Sequence, residues 1–119
     1  MKNIPEYAQD PVYQKMIEWV KMLGMRVEYS FDDESALAQT DGYTVICMGS
    51  DDEYKNAEHA ALVLGHEIGH NLQKNVAVPF SSYRDYGFYY VEEDELEADV
   101  FGSCLYKLAL SILNCEEEE

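Results

Sequence analysis

Three stretches of the chain repeat apolar positions with the period of a helix, and two alternate or cluster them as strands do. Val12, Met16, Ile17, Val20 and Leu23 recur at helical spacing between Asp10-Pro11, an N-cap followed by a first-turn proline, and Gly24, which ends the run. Trp19 and Tyr13 flank this stripe, whose plain role is core packing. Residues 25–31 alternate apolar and polar side chains, and 42–48 are rich in β-branched and aromatic residues, so both read as strands. The polar connection 32–41 has room for a short extra strand at 36–39. After a turn at 49–52, residues 53–74 read as one long helix. Ala57, Ala61, Leu64, Ile68 and Leu72 form its buried stripe, while His59, Val63, His66 and His70 lie on another face.

Residues 75–90 contain Pro79, Gly87 and four tyrosines and read as a loop or irregular hairpin. A last helix runs from about Val91 or Asp94 to Leu113, with Leu96, Val100, Phe101, Cys104, Leu105, Leu108 and Ile112 as a broad apolar surface, before a frayed acidic tail at 114–119. The expected architecture is α+β, about three helices packed on a small antiparallel sheet, in one domain of 119 residues.

Two of the three histidines stand in His66-Glu67-Ile68-Gly69-His70. On a helix, positions four apart lie about 40° around the axis and about 6 Å along it, so both imidazoles reach one cation from one face. Neutral imidazole suits Zn²⁺, and a catalytic zinc site takes three protein ligands and leaves one place for solvent. Such an ion would activate water, and Glu67 stands next to a ligand, where it can take the proton. The bland alternative is a chance match in a helix that binds nothing.

A third ligand is available downstream. Glu95 and Asp99 share one face of the last helix, so Glu95 can complete the set and Asp99 can accept the second ring N–H of a ligating histidine. Glu97 and Glu92 are fallback ligands, and the competing reading is an acidic first turn that favours the helix dipole. Gly69, costly inside a helix, suggests a close backbone approach near the metal. A peptide hydrolase also needs an oxyanion donor. Tyr83, Arg84, Tyr86, Tyr89, Tyr90 and His59 are candidates, although for any single one packing or a cleft rim is the favoured reading.

The motif His66-Glu67-Ile68-Gly69-His70 together with Glu95-Leu96-Glu97-Ala98-Asp99-Val100-Phe101 resembles the ImmA/IrrE family of zinc metallopeptidases. Residues 41–46 look like the strand that precedes the zinc helix in that family. The resemblance implies a zincin-like minimal metallopeptidase fold and a cytoplasmic protease that cleaves or inactivates a helix-turn-helix repressor of a phage or mobile element. By position, His66, His70 and Glu95 would be the zinc ligands and Glu67 the catalytic base. Membrane-bound zinc proteases share a similar Glu-x-x-Ala-Asp phrase, but no stretch here approaches about 18 uninterrupted apolar residues.

Charge narrows the partners. With 24 acidic against 8 basic side chains, the formal net charge is −16, which disfavours direct binding to nucleic acid or anionic lipid and favours a basic protein. Three cysteines without a Cys-x-x-Cys pair point to reduced, buried thiols in a cytoplasm, and the first residues lack a secretory apolar core. Two further readings accompany the hydrolase. One is a zinc-stabilised acidic protein that sequesters its partner intact. The other, weaker, is mimicry of DNA by the acidic surface.

Overall fold

The computed structural model describes residues 4–29, 38–40, 44–75 and 92–117. Its elements are α1 (Pro11–Met22), β1 (Arg26–Tyr29), β2 (Ala38–Thr40), β3 (Val45–Met48), α2 (Ala57–Asn75) and α3 (Glu92–Glu117), with short 3-10 turns at Glu6–Gln9 and Asp51–Glu53.

Asp10 caps α1 as its sequence context demands, its carboxylate accepting from the backbone N–H of Val12 at 3.1 Å and Tyr13 at 3.2 Å. Gly24 ends the segment at φ +81°, a left-handed conformation that glycine adopts without steric cost. The buried face of α1 is Val12, Tyr13, Met16 and Val20. Leu23, expected in that stripe, is exposed, and Tyr13 occupies the core instead.

The sheet is three-stranded in the order β1-β3-β2. β1 and β3 run parallel, with Arg26 opposite Val45, whereas β2 and β3 run antiparallel, with Thr40 opposite Ile46. The expected all-antiparallel sheet is therefore corrected to a mixed one. The cause is the short strand Ala38–Thr40, which adds one chain reversal between β1 and β3, so these two end up pointing the same way.

Helix boundaries differ from expectation at two ends. α2 begins at Ala57, not near residue 53, because the Asn56 side chain accepts from His59 N–H at 2.8 Å and acts as the cap. Residues 51–53 form a separate 3-10 turn. α3 continues to Glu117, past the expected stop near 113, since glutamate is a good helix former even at an end where the dipole disfavours it.

Tyr13, Met16, Val20, Ile46, Met48, Leu64 and Ile68 are the large side chains fully buried where α1, the sheet and α2 meet. Beside them Tyr7 meets Tyr13 and Tyr54 edge to face, with Tyr7 and Tyr54 ring centroids 5.1 Å apart, and Tyr29 lies tilted against Tyr7. Their hydroxyls are satisfied: Tyr7 donates to the Gly49 carbonyl, Tyr13 and Tyr29 pair at 3.2 Å, and Tyr54 accepts from Gly49 N–H at 2.9 Å.

α2 packs most extensively on α3. Gly65 and Gly102 meet with no side chain between them. A Cβ on Gly65 would lie 2.6 Å from the Gly102 Cα, and one on Gly102 would lie 2.8 Å from His66 N. Near the start of α3, Gly69 rests against Ala98 in the same way. Side-chain-free contacts bring the two backbones unusually close, and this closeness sets the geometry of the site.

A candidate metal centre between two helices

His66 and His70 occupy consecutive turns of α2, and the first turns of α3 present Glu95 and Asp99 to them. The His66 and His70 Nε2 atoms are 3.0 Å apart, and the rings meet edge to face with centroids 4.6 Å apart. Glu95 spans both, with Oε2 2.6 Å from His70 Nε2 and Oε1 3.5 Å from His66 Nε2. Donor atoms of the three residues all lie within 4.8 Å of one another.

On the far side of the first ring, His66 Nδ1 is 2.6 Å from Asp99 Oδ1. A carboxylate can only accept, so Nδ1 carries the proton and Nε2 offers its lone pair toward His70 and Glu95. His70 Nε2 then donates to Glu95.

The donor set and its spacing fit a metal ion. Two imidazole nitrogens and a carboxylate are a zinc-type set, and tetrahedral bonds of about 2.0–2.1 Å separate ligand atoms by about 3.3–3.5 Å. The 3.0 Å between the two imidazole nitrogens is within about 0.5 Å of that range, and Glu95 brings one carboxylate oxygen close to each ring. His66, His70 and Glu95 can thus hold a metal ion.

Glu67 lies behind this group with only 9% of its surface exposed. Burial pushes its carboxyl pKa up; the nearby His70 and His66 oppose that shift, and Glu95 adds to it. Glu67, His66, Asp99, His59, Leu62, Val63 and Ala38 line a cavity of about 400 Å³. The entrance side is open, because the Asp99 side chain is 68% exposed and that of Glu95 is 48% exposed.

Other sequence candidates fall elsewhere. Glu97 sits with Leu96, Val100, Phe101 and Cys104 around a separate apolar depression on α3, away from the histidines. The side chain of Glu92 and the residues Tyr83, Arg84, Tyr86, Tyr89 and Tyr90 lie outside the described residues. His59 faces the cavity, its ring packed on Tyr54 and its Nδ1 accepting from Lys55 N–H at 3.0 Å. The expectation of buried cysteines is corrected: Cys47 is half-buried, but Cys104 and Cys115 are exposed. The apolar residues near those two in sequence lie on several sides of α3, so they do not define a single inward face.

Sequence reasoning missed Asn71, next to His70. It is fully buried, its Nδ2 donating to Met25 Sδ at 3.0 Å and its Oδ1 standing against the Thr40 hydroxyl. The single Thr40 hydroxyl proton is shared between Asn71 Oδ1 and the Val45 carbonyl, 2.7 Å away, so Asn71 ties α2 to the β2–β3 pair. A lone polar residue one step past the motif was the only signal. Gly65 and Gly102 were missed too, although glycine inside a helix is itself a hint of close approach.

Compared with protein-family models, curated proteins and solved structures, the chain matches none. Among the described residues, no helix is long and apolar enough to cross a membrane.

Proposed function

We propose that the protein is a zinc-dependent peptide hydrolase acting in the cytoplasm on a basic protein. The ImmA/IrrE resemblance of its two motifs suggests a helix-turn-helix repressor as that protein. The observation that carries the reading is the convergence of His66, His70 and Glu95 beside a buried Glu67. Zinc held by these three ligands would supply an activated water and polarise the scissile carbonyl.

The chain's own groups supply the rest. Glu67, nearly dry and raised in pKa, accepts the proton of the attacking water and returns it to the leaving amine. Asp99 positions His66 by holding its Nδ1 proton. Among the described residues β2 is an outer strand, and Ala38 at its start lines the same cavity as Glu67. An extended substrate can therefore pair its backbone with β2. A net charge of −16 favours a basic partner.

The test is zinc stoichiometry by elemental analysis together with cleavage of a basic helix-turn-helix repressor by wild type and Glu67→Gln. The variant should keep its zinc and lose roughly 10²–10⁴ in rate. Wild-type cleavage by Glu67→Gln would remove Glu67 as the base. A partner inhibited yet still full length would favour sequestration instead.

A further inference from the structure

Beyond the metal ligands, the cavity has a second polar feature, His59, and a chemical gradient between the two. His59 and His66 are seven residues apart on α2, two turns and about 10.5 Å along the axis, so they share a face but cannot serve one reacting atom. An oxyanion donor must sit about 3 Å from the oxygen it stabilises, and His59 is too remote for that role. Leu62 and Val63, together with Ala38 from β2, form the wall between them. The cavity therefore starts at Glu67 and His66, continues along an apolar wall and ends at an imidazole.

The state of that imidazole is set by its neighbours. Nδ1 accepts the Lys55 N–H at 3.0 Å, so in the neutral ring the proton is on Nε2, which is a donor. Tyr54 packs against the ring edge to face, with centroids 5.7 Å apart, and Asn56 holds the His59 backbone N–H. These contacts fix the ring in place. A donor at the far end does not accept a bond from a lysine or arginine tip. Glu67 and Asp99 on the lining, within a strongly acidic protein, disfavour a carboxylate.

Resting on the hydrolase reading above, we infer that this cavity is a specificity pocket for a substrate side chain with an apolar stem and a neutral acceptor at its tip, glutamine being the natural residue. The stem lies along Leu62, Val63 and Ala38, and the carboxamide oxygen accepts from His59 Nε2–H. His59 is a specificity residue and takes no part in bond cleavage. A stem of two methylenes carries the carboxamide along this wall toward the first turn of α2, where His59 stands.

The probes are peptide hydroxamates carrying glutamine, leucine, glutamate or lysine at the residue next to the metal-binding group, with acetohydroxamate as a side-chain-free control. Binding to the zinc-loaded full chain is measured by titration calorimetry. Acetohydroxamate reads the metal site alone, and its failure to bind zinc-loaded protein would overturn the hydrolase reading together with the pocket. If it binds, the glutamine probe should exceed leucine, glutamate and lysine probes by about fivefold to tenfold, the size of one neutral hydrogen bond. His59→Leu should erase the preference for glutamine over leucine while zinc content and acetohydroxamate affinity stay at wild-type values. Since that substitution also removes the contact to Lys55, Val63→Phe gives an independent check by filling the pocket. It should weaken the glutamine and leucine probes alike and spare acetohydroxamate. Equal affinities for the four side chains, or a glutamine preference that survives both substitutions, would overturn the inference.

Discussion

Adding one methyl group at Gly102 tests whether helix contact sets the metal site. A Cβ there would stand 2.8 Å from His66 N, 2.9 Å from Gly65 C and 3.1 Å from Leu62 O, all backbone atoms that cannot rotate away. Ordinary carbon contacts begin near 3.5 Å, so α3 must retreat from α2 by about 0.7 Å. Glu95 lies seven residues earlier, two turns along the same face, and moves with the helix. Metal bonds tolerate about 0.2 Å, which makes the displacement several times too large for Glu95 to keep its place.

The expected outcome for Gly102→Ala is a loss of roughly 10- to 100-fold in zinc affinity, measured by competition with a chromogenic chelator. Global stability is a poorer readout. Overpacking costs about 1–3 kcal/mol, but alanine regains about 1 kcal/mol of helix propensity, so the net change is about 0–2 kcal/mol. Gly24→Ala is the control. Its Cβ meets nothing within 4 Å, yet φ +81° strains any side chain by about 1–2 kcal/mol, so it should lower stability and leave zinc affinity unchanged. Zinc affinity within twofold of wild type for Gly102→Ala would refute the argument that backbone contact places Glu95.

Other expectations follow from single contacts. Asp99→Asn should weaken zinc binding about tenfold without shifting the melting temperature of the metal-free protein, because the side chain is largely exposed; unchanged affinity would remove Asp99 as the partner of His66. Asn71→Leu should lower the urea-unfolding free energy by about 1–3 kcal/mol by leaving the Thr40 hydroxyl and the β2–β3 pair without their tie to α2, and a variant as stable as wild type would contradict that. Burial, before any other cause, raises the pKa of Tyr7, Tyr13, Tyr29 and Tyr54 above 10.0. The unfolded chain therefore loses these protons first, so stability is full below about pH 10 and falls as pH rises beyond it. Tyrosinate absorbance from the four should appear only together with loss of near-ultraviolet circular dichroism, and ionisation in a still-native protein would contradict their burial.

How much was legible in the sequence depended on whether a local signal had a competitor. Asp10-Pro11 and Gly24 bracket α1 without rivals, and the structure places its ends there. The face shared by His66 and His70 follows from helix geometry, and the pairing of Asp99 with His66 from the i, i+4 relation to Glu95. Sheet direction was not legible, because Ala38–Thr40 is too short to show alternation, yet its single reversal decides how β1 meets β3. The inner face of α3 was hidden for the opposite reason. Leu96, Val100, Leu108 and Leu110 are apolar and exposed, while Ala98, Gly102 and Ala109 are buried and Phe101 and Leu105 pack partly buried against the core, so hydrophobicity marked only part of the true contact. Small residues mark that seam, and their signal is shape, which hydropathy does not register.

Glu95 and His70 belong to different helices, with 24 residues of chain between them. A cation gripping both acts as a clasp on that span as well as a reagent. Closing a span of this length by a cross-link removes about 3.5 kcal/mol of freedom from the unfolded chain by the loop-entropy relation, a large share of what holds a small domain folded. Loading with metal and consolidation of the helical pair would then be one event, and the protein's lifetime in a cell would track the supply of its ion.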